Sequence, residues 1–411
     1  MLAKREKDRV KWSLLVIYGL ANTFEQWCRV LMPFSQWQLR PRPSMFDTLI
    51  LNSIGNASVV LGSLLIAQLI DSIGGRKTAI IATIFVSIYQ TFLAHIQNYY
   101  VFGIWQTLLM LNHMPTIVEA LIAQLVGEDG DEKERSRLMM RLTIPMSIAF
   151  AAGPYCAIQV LYLITPVLTT SQTLCGITNF LTVLPLVIFV LPEQNRKTPA
   201  TIKLPTVQTY FELLKSENFL KTLMFIVIVT APYTAYDQVL RSQLSTQMLT
   251  NPGDMAKLAL LLGTVTLLVN VLLLPRLQNR FSPQSLLLGS MVVLFTSYVY
   301  LSFVTDYTYL IFGLPFQIAG VCVASGLLTA QLMGDVPRMH MGKAAALNRI
   351  AQLAATTLTP LLTGYYIDGA ETKILCYTAA AITAVGIPLV YAKGGFMRQH
   401  LGQLPMRSHT E

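Results

Sequence analysis

The sequence predicts an all-α membrane protein of twelve transmembrane helices arranged as two six-helix bundles. Three observations carry that prediction. Hydrophobic residues make up 53% of the 411 and charged residues only 12%, whereas a soluble domain is about one quarter charged. Apolar windows of about 20 residues, long enough to cross a hydrocarbon core of about 30 Å, recur along the chain. Lys and Arg are concentrated in alternate links between those windows.

The spans run near 12–33, 46–70, 78–97, 100–125, 139–164, 172–191, 219–242, 256–275, 284–304, 307–333, 344–367 and 373–392. Span one follows the basic stretch Lys4 to Lys11. It is too long for a signal peptide and no small-residue cleavage site follows it, so it is expected to stay as a helix. Spans two and three are joined by Asp71-Ser72-Ile73-Gly74-Gly75-Arg76-Lys77, a charged, glycine-broken turn that must lie in water. A charged stretch over 128–141 separates spans four and five. Span six ends at Leu191-Pro192-Glu193, and a polar, lysine-bearing stretch leads into span seven. Leu277 to Ser282 separates spans eight and nine, Arg338 and Lys343 precede span eleven, and Lys393 follows span twelve.

With the amino terminus inside, 24 of the 30 Lys and Arg residues fall on the inner side. Arg29, Arg40, Arg42, Arg241, Lys257 and Lys373 lie toward the other. That asymmetry obeys the positive-inside rule and places both termini in the cytoplasm. The chain is therefore expected to be an integral multi-pass protein of the plasma membrane or of an organelle membrane. Its expected organisation is an amino-terminal bundle over 1–192, a cytoplasmic linker over 193–218, a carboxy-terminal bundle over 219–393 and a tail over 394–411.

The net charge of +9 reads as attraction to anionic leaflets, with no nucleic-acid partner implied. Cys28, Cys156, Cys175, Cys322 and Cys376 fall in apolar spans without paired spacing, so neither a disulfide framework nor a zinc site is expected. The sequence holds no phosphate-binding lysine loop, no metal-spaced His/Cys cluster and no Gly-x-Ser-x-Gly elbow. No enzyme activity, metal or cofactor is expected, and transport must draw on a gradient. The sequon Asn56-Ala57-Ser58 lies inside span two, beyond the reach of glycosyl transfer.

Six plus six spans with a central cytoplasmic link is the layout of a parallel-repeat transporter. The segment Gly62 to Lys77, with Asp71, Gly74, Arg76 and Lys77 in place, resembles the motif between helices two and three of the major facilitator superfamily. Leu277 to Ser282 is similar to a decayed second copy, with Asn279 where the family has Asp. Leu191-Pro192-Glu193 resembles the family's usual ending of helix six, and the topology match covers essentially the whole chain. Asn52 to Asp71, Pro275 to Leu288, and Met341 through Gly364 resemble the drug:proton antiporter branch, and most closely the organic-cation-transporter-like members of solute carrier family 22. Ala149-x-x-x-Gly153-Pro154 is half of the antiporters' Gly-x-x-x-Gly-Pro pattern. Two positions depart from proton-coupled members: Gln106 stands where many have Arg, and Ala67 where the motif has Gly.

At an inner helix end Asp71 can accept backbone N–H bonds from a neighbouring helix's amino terminus, whose dipole favours its charge. Arg76 and Lys77 lie where they can pair with the acidic loop Glu128 to Glu134. The resemblance implies that such contacts gate the inner face. Anchoring of Arg76 and Lys77 to lipid headgroups is the plain alternative.

Ionisable groups at bilayer depth cost about 3 kcal/mol or more and persist where they face a cavity or a partner. Glu25 lies thirteen residues beyond Trp12, about 20 Å along a helix, with Arg29 one turn later. It reads either as a proton or cation site or as half of an ion pair. Glu119 shares a predicted face with Asn112 and Thr116 and follows Pro115. A wall of a polar cavity and an interhelical hydrogen bond are its two readings, and His113 beside it is a ligand or a packing residue. Asp237 follows Ala231-Pro232-Tyr233-Thr234-Ala235-Tyr236. A helix broken at Pro232, with Tyr233 and Tyr236 near an acid, would form an entrance for an organic cation; a headgroup ion pair with Arg241 is the alternative. Asn348, Gln352, Thr356, Thr359 and Thr363 step by four or three and so share one helix face, lining a pore or joining neighbours.

The expected function is that of a monomeric secondary transporter in the lipid bilayer that moves a small organic solute, an organic cation or drug among the candidates, by alternating access. Protons are the candidate counter-ion, through Glu25 or Glu119. A facilitative uniporter of a neutral metabolite and a non-transporting receptor or scaffold are the alternatives.

Overall fold

The computed structural model describes residues 4–126, 142–164, 167–191, 214–246, 252–304, 306–334, 347–348, 350–359 and 372–392. The described residues are helical almost throughout. In chain order the helices are α1 (Lys4–Trp37), α2 (Met45–Ile73), α3 (Gly75–Phe92), α4 (Tyr99–Gln106), α5 (Met114–Val126), α6 (Thr143–Leu163), α7 (Leu168–Val190), α8 (Glu217–Thr246), α9 (Pro252–Leu268), α10 (Leu274–Arg280), α11 (Pro283–Ser302), α12 (Tyr307–Gly334), α13 (350–359) and α14 (Thr372–Ala392). Among them eight stretches are long and apolar enough to cross a membrane.

Local chemistry sets the helix ends. Ser44 caps α2 with a complete capping box: its hydroxyl accepts from the Asp47 amide at 3.1 Å, and the Asp47 carboxylate accepts from the Ser44 amide at 2.9 Å. Asn98 accepts from the amides of Tyr100 and Val101 at the start of α4, and Ser282, followed by Pro283, caps α11. Each cap serves amides that the first helical turn leaves without a carbonyl.

Two expected helices differ from the sequence reading. The span over 100–125 is divided into α4, a 3₁₀ stretch at Thr107–Leu111 and α5, because Pro115 has no amide to close the α-helical bond across the junction. Pro232 does not break its helix: α8 runs through it. The Thr234 hydroxyl bonds back to the carbonyls of Thr230 and Ala231 in the turn around the proline.

Contacts divide the chain into two compact units. The first gathers the described residues of Met1–Leu204, Asp237–Leu268 and Thr356–Asp368. In it α1 packs on α6 and α7, α3 on α7, and α6 on α9. The α6–α9 contact is backbone to backbone: a Cβ added to Gly263 would stand 2.4 Å from the Phe150 carbonyl. The second unit gathers the described residues of Pro205–Tyr236, Val269–Ala355 and Gly369–Glu411. There α11 packs against both α12 and α14, burying Leu286, Leu287, Met291, Leu294 and Tyr298. Large apolar side chains such as Leu163 and Phe189 point outward, Phe189 being 84% exposed, as a surface in contact with lipid allows.

Candidate functional site

The link between α2 and α3 is a single residue. Gly74 has φ 89° and ψ 155°, a conformation that glycine alone adopts without strain. Its carbonyl accepts from the amide and the hydroxyl of Thr78 at 3.1 and 2.9 Å, which starts α3 at once. Arg76 is half-buried and its guanidinium donates to the Ile188 carbonyl, two residues before the end of α7, where a cation suits the helix terminus. Lys77 is exposed. The Asp71 side chain and the loop Glu128 to Glu134 lie outside the described residues, so the expected pairing with that loop does too.

Glu25 is half-buried on α1 and makes no hydrogen bond or ion pair among the described residues. The ion pair with Arg29, which the i,i+4 spacing permits, is not formed: Arg29 is exposed while Glu25 is half-buried. Glu25 instead lies within electrostatic reach of Tyr89 and Cys28. Around it α1, α3, α4 and α7 carry a polar interior. Tyr89 Oη donates to Gln106 Oε1 at 3.1 Å, Gln172 Nε2 to Cys28 Sγ at 2.8 Å, Trp27 Nε1 to Ser171 Oγ at 3.2 Å and Asn179 Nδ2 to Gln90 Oε1 at 2.9 Å. Gln106 and Gln172 are 0% exposed. Gln106 Nε2, Gln172 Oε1, Asn179 Oδ1 and Ser87 Oγ have no hydrogen-bond partner among the described residues. Sequence reasoning that followed charge missed these amides; Gln172 and Asn179, seven apart in an apolar span, were the available signal.

The face expected to join Asn112, Thr116 and Glu119 is not built on one helix. Asn112, with φ −81° and ψ 70°, and His113 sit in the break before α5. His113 is 2% exposed and its Nε2 lies 2.8 Å from the Val59 carbonyl of α2, to which it donates. It therefore ties the break to α2 as a packing residue. Thr116 is half-buried and Glu119 is exposed.

On α8, Tyr236 is 2% exposed and its ring packs edge-on against Tyr298, centroids 6.2 Å apart, so it does not line an open mouth. Tyr233 and Asp237 are half-buried. Of the polar stripe, Gln352 Nε2 donates to Asn348 Oδ1 at 3.3 Å, while Thr356 and Thr359 are half-buried. The backbone there is also engaged. The Thr356 carbonyl accepts from Asn56 Nδ2 at 3.0 Å and Gln238 Nε2 at 3.3 Å, and the Thr357 carbonyl accepts from Ser53 Oγ at 3.0 Å.

The family model described as Major Facilitator Superfamily matches residues 44–360. No curated protein matches significantly. Among solved structures, a POT family transporter in complex with a thioalcohol-conjugated peptide aligns with TM-score 0.73 at 12% identity, covering 94% of this chain and 96% of its own. The nucleoside transporter NupG, in a point-mutant form, aligns with TM-score 0.70 at 11% identity over 94% of this chain and 100% of that one. The human organic anion transporter MFSD10 aligns with TM-score 0.64 at 14% identity over 93% and 99%.

Proposed function

Because the chain belongs to the major facilitator superfamily and is a membrane transporter, we propose that it moves a small organic solute, an organic cation or drug, by alternating access, with protons as the counter-ion and Glu25 as the group they share. The observation that carries this reading is the Glu25 carboxylate: half-buried, deep in α1, unneutralised by Arg29, and beside buried amides of which several polar atoms lack partners among the described residues. A proton and a cationic solute would compete for that carboxylate, and the competition couples the two fluxes.

In this proposal the two halves, joined by the linker over 193–218, rock about the solute. Gly74 and Arg76 fix α2, α3 and α7 as one body, so that Asp71, Arg76 and Lys77 gate the inner face together. Binding drives the change only by the difference in affinity between the two states. Gln106, neutral and fully buried beside Tyr89, favours a second reading, facilitative uniport of a neutral metabolite.

Uptake of a labelled panel of organic cations and neutral metabolites into proteoliposomes, with and without an imposed pH gradient, separates the two. The proton-coupled reading expects gradient-driven flux that falls at least about tenfold in Glu25→Gln. Flux of a neutral solute that ignores both the gradient and the substitution would establish uniport instead. Intact folded protein that moves no compound would sink the transport of this panel.

A further inference from the structure

Asn56 has no use in the sequence reading beyond an unusable sequon, yet its side chain reaches across to another helix. We propose that Ser53, Asn56 and Gln238 form a three-donor latch on the carbonyls of Thr356 and Thr357, holding shut the membrane half opposite the Asp71–Lys77 turn. The inference rests on the alternating-access reading and adds to it the contact that must break for that half to open.

The chemistry begins with a proline. In an α-helix the carbonyl of residue 356 takes its hydrogen bond from the amide of residue 360, and residue 360 is Pro, which has no amide hydrogen to give. In a bilayer that carbonyl must find another donor. Two side-chain amides supply it: Asn56 Nδ2 from α2 at 3.0 Å and Gln238 Nε2 from α8 at 3.3 Å. Ser53, on the same face of α2 three residues earlier, serves the next carbonyl at 3.0 Å. All of these residues fall in one compact unit.

Position identifies what the contact holds. Ser53 is eight residues from the Met45 end of α2, about 12 Å along the axis, whereas the motif turn lies at the other end. At the same level Gln36 Nε2, one residue before the end of α1, donates to Asn52 Oδ1 at 2.8 Å. Four chain segments are therefore tied by neutral polar contacts near one end of α2.

Strength fits a contact that must be made and broken. Interhelical hydrogen bonds of this neutral kind shift an equilibrium by about threefold each, more rarely by tenfold or more. Three of them bias closure by tens of fold without trapping it, and opened donors and carbonyls bond to water. Gln238 Oε1 stays buried without a hydrogen-bond partner among the described residues, a residual cost of the closed form that release removes.

Hydrogen exchange of the full chain in lipid nanodiscs, read by mass spectrometry over residues 45–60, tests the latch without any solute. Asn56→Ala is expected to speed exchange there by about threefold to tenfold, and the milder Ser53→Ala by about threefold. Pro360→Ala supplies an amide at the position from which an α-helix serves the Thr356 carbonyl; competing with both side-chain amides, it is expected to speed exchange too, and adding Asn56→Ala to it is expected to change little further. Exchange over residues 168–190 reports folding and is expected to stay at the wild-type rate. Single substitutions that leave residues 45–60 unchanged, or effects of Asn56→Ala and Pro360→Ala that simply multiply, would overturn the latch. Because no transported compound enters, a wrong solute or coupling ion in the functional reading leaves this result untouched.

Discussion

Substituting Gly62 tests whether the break in the fourth span is held by backbone contact with α2. A Cβ on Gly62 would stand 1.9 Å from the Met110 carbonyl oxygen and 2.8 Å from its Cα. Real Cβ atoms do not come within 3.0 Å of such atoms, so Gly62→Ala must drive α2 and the 107–111 stretch apart by about 1 Å, as overpacking does. Three residues earlier on α2, the Val59 carbonyl lies 2.8 Å from His113 Nε2, and the same displacement carries that bond beyond hydrogen-bond reach. Overpacking costs about 1–3 kcal/mol, and the lost interhelical bond adds about 0.6–1.7 kcal/mol. Alanine's better helix propensity returns up to about 1 kcal/mol. The net expectation is a loss of about 1–4 kcal/mol. Reversible unfolding of purified protein in mixed micelles reads it. Gly289→Ala is the internal comparison, since its Cβ would meet nothing within 4 Å and is expected to be neutral or mildly stabilising. A Gly62→Ala protein within about 0.5 kcal/mol of wild type, the scatter of an innocuous surface change, would refute a tight backbone contact at the break.

The same unfolding assay reads three further substitutions. Gly74→Ala forces a side chain into a glycine-only conformation and is expected to cost about 1–3 kcal/mol; no measurable loss would mean that the one-residue link relaxes freely. Arg76→Ala removes the guanidinium from the Ile188 carbonyl, a bond worth about 1 kcal/mol once partial exposure is discounted, and is expected to speed amide exchange near the end of α7. Unchanged exchange there would show the contact to be incidental. Pro232→Ala restores an amide to a helix already continuous through that position and is expected to be neutral or stabilising. A loss above about 1 kcal/mol would mean that the proline's distortion is needed for packing.

The fold was legible because its determinants are large and periodic. Apolar windows gave the expected spans, and the described helices overlap them, with α1 starting eight residues before its window and the fourth window divided among α4, a 3₁₀ stretch and α5. Charge was a poorer guide to the site. Glu25 and Arg29, one turn apart, suggest an ion pair, but Arg29 is exposed and Glu25 half-buried, and spacing alone does not say which rotamers the surrounding packing leaves open. Asn112 and Glu119 suggest one face, but Pro115 denies the chain the bond that would keep that face continuous. Tyr236 suggests a mouth, while its area is better buried against Tyr298. What the sequence hid was neutral: Gln172, Asn179 and Gln238 carry no charge to betray them, and their partners are backbone or distant side chains that only the fold brings near.

The prolines show why such partners matter. Each proline inside a membrane helix leaves the carbonyl four residues earlier without its usual donor, and the chain answers in different ways. At Pro232 the helix stays continuous, a local accommodation in which the Thr234 hydroxyl ties the Thr230 and Ala231 carbonyls of the same turn rather than the Ile228 carbonyl that lost its amide. Before Pro275 the helix widens into a π turn over Val269–Leu273, again a local solution, since a longer hydrogen-bond step bypasses the missing amide. For Thr356, four residues before Pro360 in the sequence, side chains of α2 and α8 serve the carbonyl. A repair inside one helix moves with that helix and is indifferent to any rocking. A repair between helices must be broken when they part. The sequence marks all three prolines alike; whether each is a bend or a gate depends on which helix supplies the replacement donor, and that is settled only by packing.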